Sequence, residues 1–413
     1  MINITITERL KLKSLKRYVS GETMKFFVIG FGQCGGKILD LFLENEKMRG
    51  SGITIKALAV NTARTDLMGL RHVPMRDRIL IGQTVVKGHG VGTDNKLGAR
   101  IAQDEIETIL SAVDERGTHE IDAFLIIAGL GGGTGSGGAP VLAKYLSEMY
   151  SEPVYVVGIL PAPEEGKLYS LNAARSMVSL LKYTDNLILV DNGAWKYEGL
   201  SLKESFAKIN EEIVKRLAVL ARAGEPVEEG LVGEMVIDSA EVINTLKGGG
   251  ISAIGYATSL AEEKKKSKLK LPFLKKREEE PNLMEDDKAT KIASLVRRAA
   301  LGRLTIPCNI RSAERALILV AGPPEHLDRK GLEKAKIWLE GQIAGVEVRA
   351  GDYPTRRTKY VASLVVLANV TDIPRVKQLQ RLAVEAKEEI EELEKERIEK
   401  TLAIFDEDIE PLV

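Results

Sequence analysis

Cysteine is scarce: Cys34 and Cys308 are the two thiols in 413 residues. Two thiols cannot build a disulfide framework, which points to a reducing, cytoplasmic setting. Net charge is missing as well, because 59 Lys and Arg balance 59 Asp and Glu. Nothing therefore steers the whole molecule toward nucleic acid or an anionic membrane surface. No run approaches the ~20 apolar residues of a membrane helix, so no transmembrane segment is expected. What is present is a soluble balance, 44% apolar and 29% charged, in a chain too long for one ordinary core. Two domains with extensions are the expectation.

Residues 1–23, MINITITERLKLKSLKRYVSGET, are basic in the middle and lack the apolar core of a secretion signal. The strand-like MKFFVIGFG begins at Met24 as a true start would. The segment 1–23 reads as a disordered extension or an over-called start. An amphipathic anchor is the remaining option, with few bulky apolar residues to serve it.

From Met24 onward, short apolar runs at 26–29, 53–60, 124–128, 154–160 and 187–190 alternate with helical patterns. Near-continuous apolar runs separated by helices describe strands buried on both faces, hence a parallel α/β sheet. Each run ends in a loop rich in Gly, Asn, Asp or Pro: GFGQCGG, NTART, GLGGGTGSGG, PAPEEG and DNGAW. Ligands of such sheets bind beyond the carboxyl ends of the strands, so these loops should gather around one site.

The first loop, Gly30-Phe31-Gly32-Gln33-Cys34-Gly35, fits the dinucleotide pattern G-x-G-x-x-G. That reading expects an acidic residue about 20 positions on to hold the ribose. The next strand ends instead in Asn61-Thr62-Ala63-Arg64, and Arg64 keeps an NADP version open. A second glycine loop, GLGGGTGSGGAP at 129–140, is redundant in a dinucleotide fold. Both loops are explained if two helix N-termini converge on one polyphosphate, each offering free N–H groups and roughly half a positive charge. Phosphate is then held without a Walker lysine, the first lysine after the loop being Lys144. Glycine is needed where a Cβ would keep backbone away from phosphate, and Thr134 and Ser136 add hydroxyl donors. A third segment, KGHGVGTDN at 87–95, is placed to close over the terminal phosphate with Gly92 and Thr93.

These residues resemble a known family. Gly131-Gly132-Gly133-Thr134-Gly135-Ser136-Gly137 is similar to the GGGTGSG signature of the tubulin/FtsZ superfamily, and GFGQCGGK to its first nucleotide loop in the tubulin-like form with Gln33. GFGQCGG, NTARTDLMGL, KGHGVGTDN and GGGTGSGGAPVLA together look most like the archaeal CetZ group. The resemblance spans about residues 24–370. It implies a cytoskeletal GTPase that assembles head to tail into filaments and binds GTP or GDP. Mg²⁺ is expected mainly on phosphate oxygens and waters, with Gln33 in its outer shell. The implied nucleotide contacts are Gly32, Gln33, Cys34, Asn61, Gly92, Thr93 and residues 131–136. At the guanosine end, Glu165 matches the acidic ribose contact and Asn192 the residue that reads the guanine edge. An amide suits that task because it supplies both donor and acceptor. Taken alone, Asn61 or Asn192 equally suits an Asx turn. Where the FtsZ branch usually has Arg, four residues beyond Glu165, this chain has Tyr169.

Leu202, Phe206, Ile209, Ile213, Leu217 and Leu220 recur at spacings of three and four, which predicts a long helix with a buried stripe. Ser201 suits its cap and Gly224 its stop. In the superfamily such a helix joins two domains, and Phe206 with Asn210 matches the pair that stacks on guanine and pairs with it. Farther on, GEMVIDSAEVINTL at 233–246 sets Asp238 and Glu241 three apart, on one face of a helix starting near Ile237. Two carboxylates so placed can orient a water and accept its proton; on the residues alone a cap and a first-turn acid is the stronger reading. The segment resembles the superfamily's catalytic loop, Asn-Val-Asp-x-x-Asp or Glu, whose acids act on the GTP of the neighbouring subunit. Val236 stands at the motif's Asn.

The second domain reads as a mixed sheet with helices, from the strands GGGISAIGYATSL, ALILVAG, VEVRAG and YVASLVVLANV. Between its first strand and a helix near 289–301 lies a charged insertion, 262–289, basic over 264–277 and acidic over 278–287. It reads as mobile and solvated, at the position of the tubulins' lateral-contact loop. A long amphipathic helix then docks on the body or faces partners, and DEDIEPLV ends the chain. The linker and adaptor peptide usual in FtsZ are not evident, which favours a role in cell shape over division.

The expectation is therefore an α/β protein: a Rossmann-like parallel-sheet GTP-binding domain at 24–201, a core helix at 202–223, a smaller mixed-sheet α/β domain at 224–370, and a C-terminal helix and tail at 371–413. Its expected partners are copies of itself and a membrane adaptor or regulatory protein. A division-ring FtsZ and a nucleotide-binding scaffold with little turnover are the alternatives.

Overall fold

The computed structural model describes residues 24–49, 56–195, 199–224, 231, 233, 235–261 and 281–402. The extension expected at 1–23, the first part of the insertion (262–280) and the tail beyond 402 lie outside them.

Six strands run parallel in the order β3-β2-β1-β4-β5-β6: β1 (Phe26–Phe31), β2 (Lys56–Asn61), β3 (Arg78–Leu80), β4 (Ala123–Gly129), β5 (Val154–Leu160) and β6 (Asn186–Asp191). Helices cover both faces, which is why the strands read as unbroken apolar runs. Phe27, Ile29 and Phe31 enter one core while Phe26 and Val28 enter the other. The edge strand β3 has three half-buried residues and no apolar run, so hydrophobic patterning did not reveal it.

The helices are α1 (Gly32–Arg49), α2 (Arg64–Met68), α3 (Gln83–Val86), α4 (Asn95–Asp104), α5 (Ile106–Arg116), α6 (Thr134–Met149), α7 (Lys167–Tyr183), α8 (Leu202–Leu220), α9 (Ser239–Leu246), α10 (Pro281–Leu301), α11 (Arg329–Glu340) and α12 (Pro374–Leu402). The long central helix α8 starts as the sequence predicts. The Ser201 hydroxyl accepts the Glu204 N–H while the Glu204 carboxylate takes the Ser201 N–H, satisfying two end groups at once. Ile209, Ile213, Leu217 and Leu220 are buried along its stripe, each stabilising the fold by roughly 1.5–3 kcal/mol. Gly224, at φ +80°, follows its end.

Beyond α8 the chain builds β7 (Ile251–Leu260), β8 (Arg315–Gly322), β9 (Glu347–Pro354) and β10 (Tyr360–Ala368). This sheet is mixed: β10 is antiparallel to β7 and β8, and β8 is parallel to β9. It is also continuous with the first sheet, because Leu187 and Ile188 of β6 pair with Ile251 and Ser252 of β7. The helix expected near 289–301 begins at Pro281 instead, so the acidic end of the insertion is helical. Its charge suggested a solvated loop, whereas proline at a first helical position is already set to the helical φ. The last helix docks on the body: Ala383 and Ala386 of α12 pack on Leu171 of α7, and Lys167 pairs with Glu385 and Glu389.

Candidate functional site

The strand order reverses between β1 and β4, and a sheet of this order leaves a crevice there, beyond the carboxyl ends of its strands. Both glycine loops leave from these two strands. They border a cleft of about 380 Å³, within the ~300–1,000 Å³ usual for small-molecule sites. Its walls bring together Gly32, Gln33, Cys34, Asn61, Gly131, Gly132, Gly133, Thr134, Gly135, Glu165, Asn192, Phe206 and Asn210, with Tyr169 beside them.

At the β4 side, the first bond that closes α6 runs from Gly137 N–H to Gly133 O at 3.0 Å. The amides of Thr134, Gly135 and Ser136 precede it and have no acceptor within the helix, which makes its start an anion-binding end. At the β1 side, Gly32 sits at φ +73°, and a Cβ there would lie 2.8 Å from the Gly135 nitrogen. The two loops thus meet backbone to backbone. Two glycines of the run are explained by packing: a Cβ on Gly137 or Gly138 would strike Asn95 O at 2.3 Å or the Phe31 ring at 2.2 Å. These two let α6 pack against α4 and β1.

Three expected contacts, Ser136, Gly92 and Thr93, are placed differently. The Ser136 hydroxyl donates back to the Gly132 carbonyl, the i−4 bond open to serine in a helix, so it is not a free donor in the cleft. The segment 87–95 lines the cleft through His89 and Gly90, whereas Gly92 and Thr93 do not line it. Both are in left-handed backbone, Gly92 at φ +57° and Thr93 at φ +70°. For threonine that conformation costs on the order of 1–3 kcal/mol unless the surroundings enforce it.

The turn bond from Asp94 N–H to Val91 O at 3.1 Å supplies part of that enforcement, and Asn172, which carries no motif, supplies the rest. Its side chain is buried in α7, and its Nδ2 lies 2.8 Å from Thr93 O, 3.1 Å from Gly131 O and 3.3 Å from Gly132 O. One amide therefore fastens segment 87–95 to the second glycine loop. The available signal was a polar residue on the apolar face of α7, between Leu171 and Ala173. Asn172→Ala is expected to strand these carbonyls at a cost of about 1–3 kcal/mol. Thermal unfolding together with a GTP titration would check it, and unchanged values in both would exclude the fastening role.

Other polar side chains tie the remaining loops together. Asn61 makes the Asx turn, its Oδ1 accepting the Thr62 and Ala63 amides at 2.8 and 3.1 Å. Its Nδ2 donates to Asp66 at 3.3 Å, and Gln33 Nε2 donates to the same carboxylate at 2.9 Å. Thr62 and Thr134 share a hydroxyl bond of 2.6 Å. Burial pushes the Cys34 thiol up to about 12, so it lines the cleft as a neutral group. Among the described residues no cluster of three or more His, Cys, Asp or Glu could cage a metal.

At the far end, the turn after β6 belongs to Asp191, whose Oδ1 accepts the Gly193 N–H at 3.0 Å, leaving Asn192 in the cleft wall. Glu165 accepts the Ala162 N–H at 2.7 Å, and burial raises its carboxyl above the ordinary value. Phe206 belongs to the predicted apolar stripe of α8, yet it is 38% exposed and faces the cleft one turn before Asn210.

Asp238 and Glu241 do not line this cleft. Asp238 caps α9, its Oδ1 accepting the Glu241 N–H at 2.9 Å. The Glu241 carboxyl is raised above its ordinary value by burial and by the charge of Asp238, against smaller opposing pulls from the Asp238 backbone N–H and then from Arg349 and Lys336. The loop before them is laced to β9 by Met235 N–H to Asp352 Oδ1 at 2.6 Å and Asp352 N–H to Met235 O at 2.8 Å. Val236, at the position of the motif's Asn, is 66% exposed.

The comparisons with known proteins converge. Residues 25–197 match the family model of the tubulin/FtsZ GTPase domain, and residues 199–385 that of the tubulin-like CetZ C-terminal domain. The tubulin-like protein CetZ1 of Haloferax volcanii is 51% identical over 372 residues, 90% of this chain and 94% of that protein. A tubulin-like CetZ of Pyrococcus furiosus is 31% identical over 384 residues, 91% of this chain and 93% of that protein. Two solved structures are similar: the GDP-bound monomer of CetZ1 from Haloferax volcanii (TM-score 0.77, 48% identity, 88% of this chain and 100% of that one) and the GTPγS-bound protofilament of CetZ2 from Haloferax volcanii (TM-score 0.78, 40% identity, 89% and 100%). This chain belongs to the CetZ group of the tubulin/FtsZ family.

Proposed function

We propose that this protein binds GTP in the β1–β4 cleft, assembles head to tail into cytoplasmic filaments, and hydrolyses GTP where the acids of one subunit meet the nucleotide of the next. The observation that carries this reading is the separation of Asp238 and Glu241 from the cleft within one chain. The nucleotide states of the two similar structures, a GDP-bound monomer and a GTPγS-bound protofilament, support it. A contact between two different surfaces that does not close into a ring propagates as a filament. Val236, apolar and exposed beside the acids, suits such a contact.

In this scheme the α1 and α6 amides hold the triphosphate, Glu165 the ribose, and Asn192, Phe206 and Asn210 the base. Asp66 and Gln33, hydrogen-bonded to each other in the cleft wall, would hold waters of a Mg²⁺ on the phosphates; the metal would neutralise charge on the phosphate oxygens. Glu241 of the following subunit takes a proton from water as the water oxygen bonds to the γ-phosphorus and the bond to the β–γ bridging oxygen breaks. Its raised basicity serves that step, since an effective base has a pKa drawn toward the working pH. Membership in the CetZ group supports a task in cell shape.

GTP turnover per subunit, measured against protein concentration with Mg²⁺ present, is expected to climb above a threshold concentration. A rate independent of concentration would place all the chemistry in one subunit and overturn the split site. GTP binding without turnover would leave a nucleotide-stabilised scaffold.

A further inference from the structure

The C-terminal helix touches the base-reading end of the cleft through its first turn. Arg375 of α12 is buried, and its guanidinium is shared among three acceptors. Nη2 donates to Pro161 O at 2.6 Å, Nε to Asp191 Oδ1 at 3.4 Å, and Nη1 to Gln378 Oε1 at 3.0 Å. Pro161 opens the loop that carries Glu165, and Asp191 directly precedes Asn192. These loops also touch each other, since a Cβ on Gly193 would lie 2.8 Å from Pro163. A planar fork with several fixed donors can clamp two loops at once, which a lysine ammonium on a flexible stem does poorly. Arg375 also draws down the Asp191 and Glu165 carboxyls, both of which burial pushes up.

We propose that Arg375 is a positioning residue for guanine recognition: through Asp191 and Pro161 the C-terminal helix holds Asn192 and Glu165 in register and so sets base selectivity. This rests on the reading of the cleft as a GTP site. Arg375 lines neither the cleft nor the α9 acids, so it acts through the two loops and not on the phosphates. The α12 helix follows the second sheet in the chain, and the clamp ties its position to the base end of a pocket built by the first sheet.

Equilibrium titration of the full chain with GTP, ITP and inorganic triphosphate tests this, because inosine lacks the exocyclic amino group that a base-reading amide can recognise. Arg375→Met is expected to weaken GTP binding about tenfold and to shrink the GTP-over-ITP preference by a similar factor. Triphosphate binding and kcat at saturating GTP should stay within about twofold, and Arg375→Lys should recover only part of the selectivity. Because a buried Asp191 without its partner can itself unfold the chain, Asp191→Asn combined with Arg375→Met removes both charges and provides a folded test of the same loss. A folded variant with an unchanged GTP-over-ITP ratio overturns the proposal, as does equal weakening of GTP and triphosphate. A wild type that binds no GTP would sink the cleft reading itself, a result distinct from either.

Discussion

Glu241→Ala is expected to bind GTP as the wild type does and to lose turnover by about 10²–10⁴-fold. Binding survives because Glu241 does not line the cleft. The helix survives too, since the cap is the Asp238 carboxylate accepting the residue 241 amide, which alanine retains. Asp238→Ala is a less clean probe, because it also removes that cap at a cost of roughly 1 kcal/mol. The pH profile supplies a second readout. A base must be deprotonated to act, and burial with a like-charged neighbour holds the Glu241 carboxyl above its ordinary value. Wild-type turnover should therefore fall on acidification at a pH higher than an ordinary glutamate would give, and that acid limb should vanish in the residual activity of Glu241→Ala. Phosphate release at saturating protein, beside a GTP titration, decides the matter; undiminished turnover would falsify the assignment.

Gly32→Ala should cut GTP affinity by about 10²-fold or more while leaving a folded chain. Two costs combine at this residue. Its φ of +73° is a region that alanine enters at a penalty of on the order of 1–3 kcal/mol. The added Cβ would also sit 2.8 Å from the Gly135 nitrogen. That neighbour is backbone, so no rotamer relieves the contact, and the first helix must move away from the second at the proposed phosphate site. Gly117→Ala separates the two effects. Gly117 has nearly the same φ, +74°, but lies before β4 at the opposite end of the strands, where the atoms nearest its Cβ would be side-chain ones, the His119 ring at 3.3 Å and Lys56 Nζ at 3.6 Å. It should lose stability and keep GTP affinity. Equal affinity loss in both variants would mean that backbone strain, and not the loop-to-loop contact, governs binding.

Features set by local backbone were readable in advance. The second glycine loop was legible as a strand-to-helix turn because its glycines interrupt an apolar run, and α8 because its apolar residues repeat at helical spacing. Residues that act across the fold were not. Asn172 looks like one polar residue on a helix face until α7 is laid against Thr93 and Gly131, and Arg375 meets Asp191 from 184 positions away. Ser136 belongs to the glycine signature, yet its hydroxyl serves the loop's own carbonyl, a choice made by side-chain geometry that spacing does not report.

By itself, the sequence determined where a glycine loop leads from a strand into a helix, where α8 begins and which strands are buried on both faces, because turn conformation, capping and hydrophobic period act over a few neighbouring residues. Only the tertiary structure decided that β7 joins the two sheets, that Gly32 meets Gly135, that one amide fastens two loops, and that the acids stand apart from the cleft. Such contacts depend on where the sheet order places the ends of distant strands, and no local preference encodes that placement.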